Sequence, residues 1–259
     1  MTRADKIARY LLKPVNRAVR EFGLIADGDR VAVGVSGGKD SRALLDLLVR
    51  GVDIPGDYEV VALHIDGSDV GLPDLAPTLT PWFRAMGVEH EIAPLAVPPD
   101  EKLPLSCFRC SWLRRKALFF AADRHGCNKV AFGHHADDAA VTTVMSLLYK
   151  GQLERLAPRL DYFDGHFEVI RPLIYVPQKE IARYARAAGW ALPPDQDQVC
   201  PREGETRRDK IERFLASFPD QEREQMRANL WRINESVNER VCESANERIA
   251  DYVREDVDG

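Results

Sequence analysis

The sequence predicts an α/β fold in which helices cover both faces of a mainly parallel sheet, the doubly wound arrangement. Three observations support this prediction. Apolar runs alternate with helical patterns from residue 31 to residue 189. The first run, Val31–Val35, is apolar enough to form a strand that is buried on both faces. This run ends in a Ser-Gly-Gly turn, after which apolar residues recur at helical spacing from Ala43 to Leu48.

The first part of the chain predicts a helical segment followed by three strands. Residues 1–29 carry apolar side chains at helical spacing and close at Asp27-Gly28-Asp29, so they are expected to form a helical extension. The next elements are predicted as a strand at 31–35, a helix at 39–49, a strand at 60–65, a proline-interrupted helix ending near Gly87 and a short strand at 89–93.

The second part of the chain continues the alternation. An ordered loop is predicted at 94–105, a helix at 106–125 capped by Gly126, a strand at 129–132, a helix ending at Gly151, a loop through 158–165, a strand at 169–170 and a helix at 177–189. From Asp209 the pattern is helical and highly charged. We therefore expect a helical N-terminal extension, a main domain and a charged helical C-terminal tail, at residues 1–29, 30–218 and 219–259.

The composition excludes several classes of protein. The chain has 259 residues, 45% of them hydrophobic, which is enough to bury a full core. It has no run of about 18 apolar residues, so no membrane segment is expected, and its charged N-terminus lacks the apolar stretch of a signal peptide. Five cysteines, an odd number, argue against a secreted disulfide scaffold and favour the reducing cytoplasm.

The charge distribution leaves nucleic-acid binding open. The formal net charge is −5, which does not by itself indicate a nucleic-acid partner. Basic residues nevertheless cluster in two places. These are Arg114, Arg115 and Lys116 after a Cys-x-x-Cys, and Arg202, Arg207, Arg208 and Lys210 after Cys200. Charge alone fits a local basic face and ordinary solvated helix faces equally well.

The turn after the first strand has the features of an anion-binding loop. Its glycines let the backbone approach a ligand, and the free N–H groups and dipole of the next helix point at the same place. Two serines add hydroxyl donors, a lysine adds positive charge, and an aspartate can hold a magnesium ion. These residues are Ser36, Gly37, Gly38, Lys39, Asp40 and Ser41. A solvated turn is the alternative, and the strand before it and helix after it favour the site.

Two other strand ends carry polar groups. Ligands in such sheets lie beyond the carboxyl ends of the strands, so His64 at the end of the second strand should lie beside the loop. A buried, hydrogen-bonded imidazole is an equally good interpretation of His64.

The segment Gly133–Asp138 offers two imidazoles and two carboxylates, which could form a metal site of their own. Its carboxylates, Asp137 first, are expected to orient magnesium or a proton acceptor, and capping of the following helix is the alternative.

Three cysteines form a candidate metal site. Cys107 and Cys110 lie one turn apart near a helix start, where the dipole and neighbouring arginines favour thiolates. Cys200 is distant in the sequence. Three converging thiolates suit a cubane iron–sulfur cluster with one open iron, but the spacing also fits a zinc site completed by a histidine, or a redox dithiol. Cys127 and Cys242 are interpreted as buried structural residues.

The ordered motifs resemble a known enzyme family. The hexapeptide Ser36–Ser41 resembles the signature of the PP-loop family, the N-type ATP pyrophosphatases. From about Phe22 to Phe218 the chain resembles the TtcA family of tRNA 2-thiocytidine synthetases. The segments that carry this resemblance are Asp27–Val31, Cys107–Cys110 followed by Leu113–Arg115, Gly133–Asp138, and Ile170–Leu173 followed by Cys200. The resemblance implies a HUP-like fold, also called the adenine nucleotide alpha hydrolase fold.

The resemblance also implies an activity. In the TtcA family, ATP activates the C2 oxygen of an anticodon-loop cytidine in tRNA, and sulfur then displaces AMP. The loop would grip the departing pyrophosphate, with Gly133 also at the ATP site and backbone groups at Leu63 and His64 against adenine. The implied cofactors are ATP, Mg²⁺ and a [4Fe-4S] cluster.

The residue assignments that follow are expectations. The cluster ligands would be Cys107, Cys110 and Cys200, and the candidate Mg²⁺ ligands are Asp40 and Asp137. The candidate catalytic residues are Lys39, Asp40, Asp137, Cys107 and Cys200. The candidate tRNA phosphate contacts are Arg114, Arg115 and Arg171.

The expected partners are tRNA, a sulfur donor (a cysteine desulfurase persulfide or free sulfide) and a second copy of the chain in a homodimer. Three alternatives stay open at this point. The first is a PP-loop ligase of the lysidine-synthetase type whose cysteines hold zinc. The second is a divergent thiolase that acts on a uridine or another thiocarbonyl. The third is a nucleotide-gated RNA-binding or sulfur-carrier module with an inactive site, although every group that the loop chemistry needs is present.

Overall fold

The structure is a computed structural model that describes residues 1–190 and 206–236. Within these residues six strands form one sheet. They are β1 (Arg30–Gly34), β2 (Glu59–Asp66), β3 (Glu89–Pro94), β4 (Lys129–Ala131), β5 (Arg159–Tyr162) and β6 (Phe167–Ile170). The strand order is β3-β2-β1-β4-β6-β5, with every pairing parallel except that of β5 with β6.

Helices follow the strands as the alternation predicts. Those of the described residues are α1 (Arg3–Phe22), α2 (Lys39–Val49), α3 (Ala76–Met86), α4 (Cys107–Arg124), α5 (Ala136–Lys150), α6 (Gln178–Ala187), α7 (Arg207–Ala216) and α8 (Asp220–Ser236). None of them is both long enough and apolar enough to cross a membrane. Thr2 begins α1 with a capping box to Asp5, and Gly23 ends it in the left-handed conformation.

The core lies on both faces of the sheet, which confirms the doubly wound prediction. Alternate residues of β1 point to opposite sides, so Val31 and Val33 pack with α1, α2 and α6 while Ala32 packs with α4. All of these β1 residues are buried. The apolar run was therefore a correct indicator of a strand covered on both sides.

The strand order reverses direction between β1 and β4. The chain passes from β1 to β2 and β3 on one side, and then returns to place β4 on the other side of β1. At such a switch point the loops at the carboxyl ends of the two strands separate and leave a crevice for a ligand. The loop Ser36–Ser41 follows β1, and Gly133–Asp138 follows β4, so both flank this crevice.

The structure differs from the sequence-based expectation in three places. Residues 159–162, predicted as part of a loop, form the edge strand β5, which pairs antiparallel with β6. Helix α1, predicted as an extension, buries six side chains in the core shared with α2 and α6. Helix α8, which lies in the predicted charged helical C-terminal tail, packs on α5, and Trp231 contacts the rings of Phe22 and Tyr175.

Candidate active site

The loop after β1 is shaped by its own serines. The Ser36 N–H donates to the Ser41 hydroxyl at 3.1 Å, and this hydroxyl donates to the Gly38 carbonyl at 3.1 Å. Gly37 has a φ of 86°, which lies in the left-handed region that favours glycine. Helix α2 begins at Lys39, and its N-cap residue, Gly38, carries no capping side chain. The first N–H groups of α2 therefore point into the crevice, as an anion site requires.

Gly133 brings the loop after β4 against the start of α2. A Cβ added at this position would lie 3.0 Å from the Asp40 carbonyl carbon and 3.0 Å from the Ser41 nitrogen. Both contacts are with backbone atoms, so the two loops touch only because the residue has no side chain. The structure thus brings Gly133 and the loop Ser36–Ser41 together.

Asp40 occupies a partly buried position between the two loops. Its Oδ2 accepts a hydrogen bond from Lys39 Nζ at 3.1 Å. Its Oδ1 is buried and has no hydrogen-bond partner among the residues that the structure describes. The Nε2 of His135 lies 3.8 Å from this oxygen, which is too far for a hydrogen bond.

The two aspartates at the start of α5 have different partners. His135 and Asp138 form a capping box, in which the His135 N–H donates to Asp138 Oδ2 at 2.8 Å. Asp138 also pairs with Arg208 of α7. Although burial opposes it, the neighbouring side chains of His135 and Arg208 hold the pKa of Asp138 below its usual value. The capping interpretation therefore applies to Asp138, whose side chain completes the capping box at the third position of α5.

Asp137 instead joins three elements. Its Oδ2 accepts from the Gln178 N–H at the start of α6 at 2.7 Å, and its Oδ1 pairs with Arg227 Nη1 of α8 at 2.6 Å. It also lines a cavity of about 270 Å³ together with Lys39. Asp137 is therefore the carboxylate of this pair that faces the space beside the loop.

Leu63 and His64 tie the end of β2 to the loop after β1. The Leu63 carbonyl accepts from the Val35 N–H at 2.7 Å, and His64 Nδ1 donates to the Val35 carbonyl at 2.7 Å. Burial lowers the pKa of His64, which is therefore neutral. Its Nε2 is buried without a partner in the described part of the chain. The interpretation of His64 as a buried, hydrogen-bonded imidazole thus holds for Nδ1 but not for Nε2. The contact of this strand end with adenine stays a prediction.

The cysteine pair lies at the same edge of the sheet as the loop. The far end of α4 is fixed at the amino edge, where His125 Nδ1 lies 2.7 Å from Glu89 Oε1 at the start of β3. Because α4 runs back across the sheet, its first residue, Cys107, projects at the carboxyl edge. Cys107 is exposed, Cys110 is buried, and both are free thiols. The third predicted ligand, Cys200, lies outside the described residues, and the described residues contain no group of three metal-binding side chains.

The chain is similar to several known proteins. No protein-family model matches the chain. A tRNA-cytidine(32) 2-sulfurtransferase of Anaeromyxobacter sp. (strain Fw109-5) is 37% identical over 226 residues, which cover 84% of this chain and 72% of the relative. The chain belongs to the tRNA-cytidine(32) 2-sulfurtransferase family. This confirms the resemblance to the TtcA family and makes the chain an enzyme of tRNA thiolation.

Other matches agree with this membership. The tRNA-cytidine(32) 2-sulfurtransferase of Polynucleobacter asymbioticus is 39% identical over 198 residues, which cover 73% of this chain and 64% of the relative. Among solved structures, the U34-tRNA thiolase NcsA from Methanococcus maripaludis with its [4Fe-4S] cluster gives a TM-score of 0.69 at 19% identity, covering 91% of this chain and 82% of that chain. This likeness confirms the predicted fold, a doubly wound and mainly parallel α/β sheet.

One of the predicted tRNA contacts, Arg171, lies inside the protein. Arg171 was expected to bind tRNA phosphate, but it is buried at 7% exposure. Its Nε donates to His134 Nδ1 at 3.2 Å, and its Nη1 donates to the Ala157 carbonyl. Burial, reinforced by the charge of Arg171, lowers the pKa of His134 to about 3. Arg171 therefore orients a neutral His134 from inside the protein, and its contact with tRNA phosphate stays a prediction.

Arg114 and Arg115 lie on the part of α4 that faces the crevice. The charge of Arg114 contributes to the lowered pKa of His64, and that of Arg115 to the lowered pKa of His134, after burial in both cases. The Arg115 guanidinium carbon lies 5.8 Å from the centre of the Phe132 ring. Both arginines are thus near the ends of β2 and β4, and their contact with tRNA stays a prediction.

Two arginines of the C-terminal helices were not among the predicted site residues. Arg208 pairs with Asp138 across 70 residues, and Arg227 pairs with Asp137 across 90 residues. Arg208 belongs to a basic cluster that the sequence reveals, whereas Arg227 lies in a mixed-charge helix with no local signal.

Proposed function

We propose that this chain is an ATP-dependent tRNA sulfurtransferase that adenylates the C2 oxygen of a tRNA pyrimidine and replaces that oxygen with sulfur. The substrate proposed is the anticodon-loop cytidine at position 32, since the relatives are named for it. One observation carries the proposal: the anion-binding loop Ser36–Ser41 and the thiols of Cys107 and Cys110 lie at the same carboxyl edge of the sheet.

The first step is activation of the base. The C2 oxygen attacks the α-phosphorus of ATP, a new O–P bond forms, and the bond from the α-phosphorus to the bridging oxygen breaks. Pyrophosphate leaves with that electron pair. Lys39 and the N–H groups at the start of α2 stabilise the negative charge that builds on the leaving group. Activation is needed because an oxide ion is a poor leaving group, whereas AMP is a good one.

A magnesium ion fits the residues at the phosphate site. The Oδ1 of Asp40 is buried and lacks a partner among the described residues, and such an orphan carboxylate oxygen is a hard ligand suited to Mg²⁺. Asp137 is the second candidate ligand. When bound, the ion would neutralise phosphate charge.

The thiols fit a [4Fe-4S] cluster. Cys107 and Cys110 are free and one helical turn apart, and Cys200 supplies the third thiolate in this proposal. A cluster held by three protein thiolates keeps one iron open to a sulfur ligand. The competing assignment is zinc bound at the same thiols, as in a ligase of the lysidine-synthetase type. Iron in the anaerobically purified protein would exclude this assignment, and its absence would support it.

The second step exchanges oxygen for sulfur. Hydrosulfide attacks the activated C2, and AMP leaves with the former C2 oxygen and the electron pair of the C–O bond. The hydrosulfide proton goes to solvent or to a nearby base. Both steps require the target base to be splayed out of its loop, because a stacked base cannot reach a crevice at a sheet edge. Arg114 and Arg115 are proposed to bind the RNA backbone there.

The experiment separates the two halves of the site. The chain is purified anaerobically and assayed for iron, for tRNA-dependent pyrophosphate release, and for thiolated nucleosides by mass spectrometry. Lys39→Ala is expected to keep its iron and lose pyrophosphate release, because the loop loses its cation. Cys200→Ser is expected to lose iron and thiolation and to retain pyrophosphate release.

Two control variants match these changes. Lys13→Ala alters an exposed lysine of α1, and Cys127→Ala alters a buried cysteine outside the predicted site. Both should retain iron and activity. A Cys200→Ser protein with full iron would refute the three-thiolate assignment, and a Lys39→Ala protein with normal pyrophosphate release would refute the loop as the ATP site.

A further inference from the structure

The cavity beside the loop Ser36–Ser41 is lined in part by helix α8. Its volume is about 270 Å³, and its lining includes four cationic side chains from three helices. These are Lys39 of α2, Lys179 of α6, and Arg223 and Arg227 of α8. Two carboxylates, those of Asp137 and Asp220, also line it. The wall therefore carries four cations and two carboxylates, and two further carboxylates, those of Asp40 and Glu224, pair with Lys39 and Lys179 from outside the lining. Lysine and arginine side chains are the protein groups that bind phosphate.

The two arginines of α8 lie on one face of the helix. Arg223 and Arg227 are four residues apart, so their side chains project from the same face of the helix, and both line the cavity that Lys39 also lines. Arg227 is 15% exposed, and its guanidinium is held by the 2.6 Å pair from Nη1 to Asp137 Oδ1. A guanidinium presents five N–H donors in a fork that matches phosphate oxygens, so anchoring one nitrogen aims the rest.

Arg223 supplies a second, independent observation. Its Nε is buried and has no hydrogen-bond partner within residues 1–190 and 206–236. A buried donor without an acceptor is costly, and a bound acceptor removes that cost. The other end of the same guanidinium pairs with Asp220. The side chain as a whole is 33% exposed, so its remaining donors reach the cavity, and an anion bound there would supply the acceptor that Nε lacks among the described residues.

We propose that Arg223 and Arg227 of α8 bind the β- and γ-phosphates of ATP and the pyrophosphate that leaves. The loop holds these phosphates from one side through Lys39, and α8 holds them from the opposite side. This inference rests on the proposed function for the identity of the nucleotide. It assigns α8, predicted from the sequence to belong to a tail, to the wall of the nucleotide site.

The experiment compares nucleotides that differ only in these phosphates. Binding of ATP and of AMP to the full chain is measured by calorimetry for the wild type, Arg223→Ala and Arg227→Ala. Loss of a charge-assisted hydrogen bond is expected to weaken ATP binding by about tenfold to a hundredfold. AMP lacks the β- and γ-phosphates, so its affinity should change less than about twofold, within the scatter of surface substitutions.

The matched control is Arg232→Ala. Arg232 lies on the same helix but is exposed, and it donates to Asn229. This variant should bind both nucleotides as the wild type does. Arg227→Lys adds a further test, because it keeps the charge and loses the fork, and it should restore only part of the ATP affinity.

Several outcomes would overturn the inference. If Arg227→Ala weakened the affinities for ATP and for AMP equally, Arg227 would only anchor α8 through Asp137. Unchanged ATP affinity with weakened binding of unmodified tRNA would assign the cavity to RNA phosphates instead. Failure of the wild type to bind ATP would refute the proposed function itself. Normal wild-type binding with unaffected variants would refute this inference alone.

Discussion

The contact between Gly133 and the start of α2 gives a sharp prediction for Gly133→Ala. The φ of Gly133 is not in the left-handed region, so alanine meets no backbone strain there, and the effect is steric alone. The new Cβ would lie 3.0 Å from Asp40 C, 3.0 Å from Ser41 N and 3.1 Å from Asp40 O. These are backbone atoms at a helix start, so the two loops must separate by a few tenths of an ångström.

The size of the effect follows from this separation. Overpacking costs ~1–3 kcal/mol of unfolding free energy, and rigid backbone neighbours place Gly133→Ala near the upper end. A misplacement of about 1 Å can cost about a hundredfold in rate, so a few tenths of an ångström should cost roughly fivefold. Both quantities are measurable, by urea denaturation and by tRNA-dependent pyrophosphate release at saturating ATP.

Gly34→Ala is the matched comparison. Its φ is also outside the left-handed region, and its added Cβ would lie 2.9 Å from Leu118 Cδ2, the end of a flexible side chain. Leu118 can rotate away, so the cost should be about 1 kcal/mol, with little change in pyrophosphate release. If Gly133→Ala proved as mild as Gly34→Ala in both assays, the claim that the two loops are in fixed contact would be wrong.

Three further predictions concern buried groups. The pKa of His134 is about 3 in the folded state, against 6.5 for an ordinary histidine. Its contribution to the free energy of unfolding should therefore be complete above about pH 6.5 and decline as the pH falls towards 3. The urea denaturation midpoints of the wild type and His134→Gln should converge over that pH range. Arg171→Ala should lower the free energy of unfolding by about 2–3 kcal/mol, because two buried acceptors lose their donor. A variant that binds tRNA more weakly but unfolds with the same free energy as the wild type would favour the phosphate-contact hypothesis instead. Burial raises the pKa of the Cys127 thiol to about 11, whereas Cys107 is exposed. Iodoacetamide at pH 8 should therefore label Cys107 well before Cys127 in the cluster-free protein, and peptide mass spectrometry measures this order.

The sequence allowed prediction of the elements whose signals are local. The apolar run Val31–Val35 and the glycine turn after it predicted β1 and the start of α2 at Lys39, because burial on both faces and a helix start leave direct patterns in the residues. The cysteine spacing likewise predicted two thiols one turn apart on α4.

Features that depend on distant partners were not predictable. The strand β5 has two apolar residues, and it is stable because it pairs with β6 across a turn. The burial of Arg171 depends on the Ala157 carbonyl and on His134, and neither can be read from the residues next to Arg171. Arg227 reaches Asp137 only because α8 folds back on α5, 90 residues away.

Helix α4 also connects the two edges of the sheet. Its 18 residues span about 27 Å, with Cys107 at one end and the His125 contacts to Glu89 and Glu91 just beyond the other. A tilt of roughly two degrees about the His125 end would carry the Cys107 sulfur about 1 Å sideways. The Cys107 end is also held locally, by the Ser106 cap and by the ion pair of Arg109 with Glu101, so the position of the Cys107 sulfur depends on contacts at both ends of the helix.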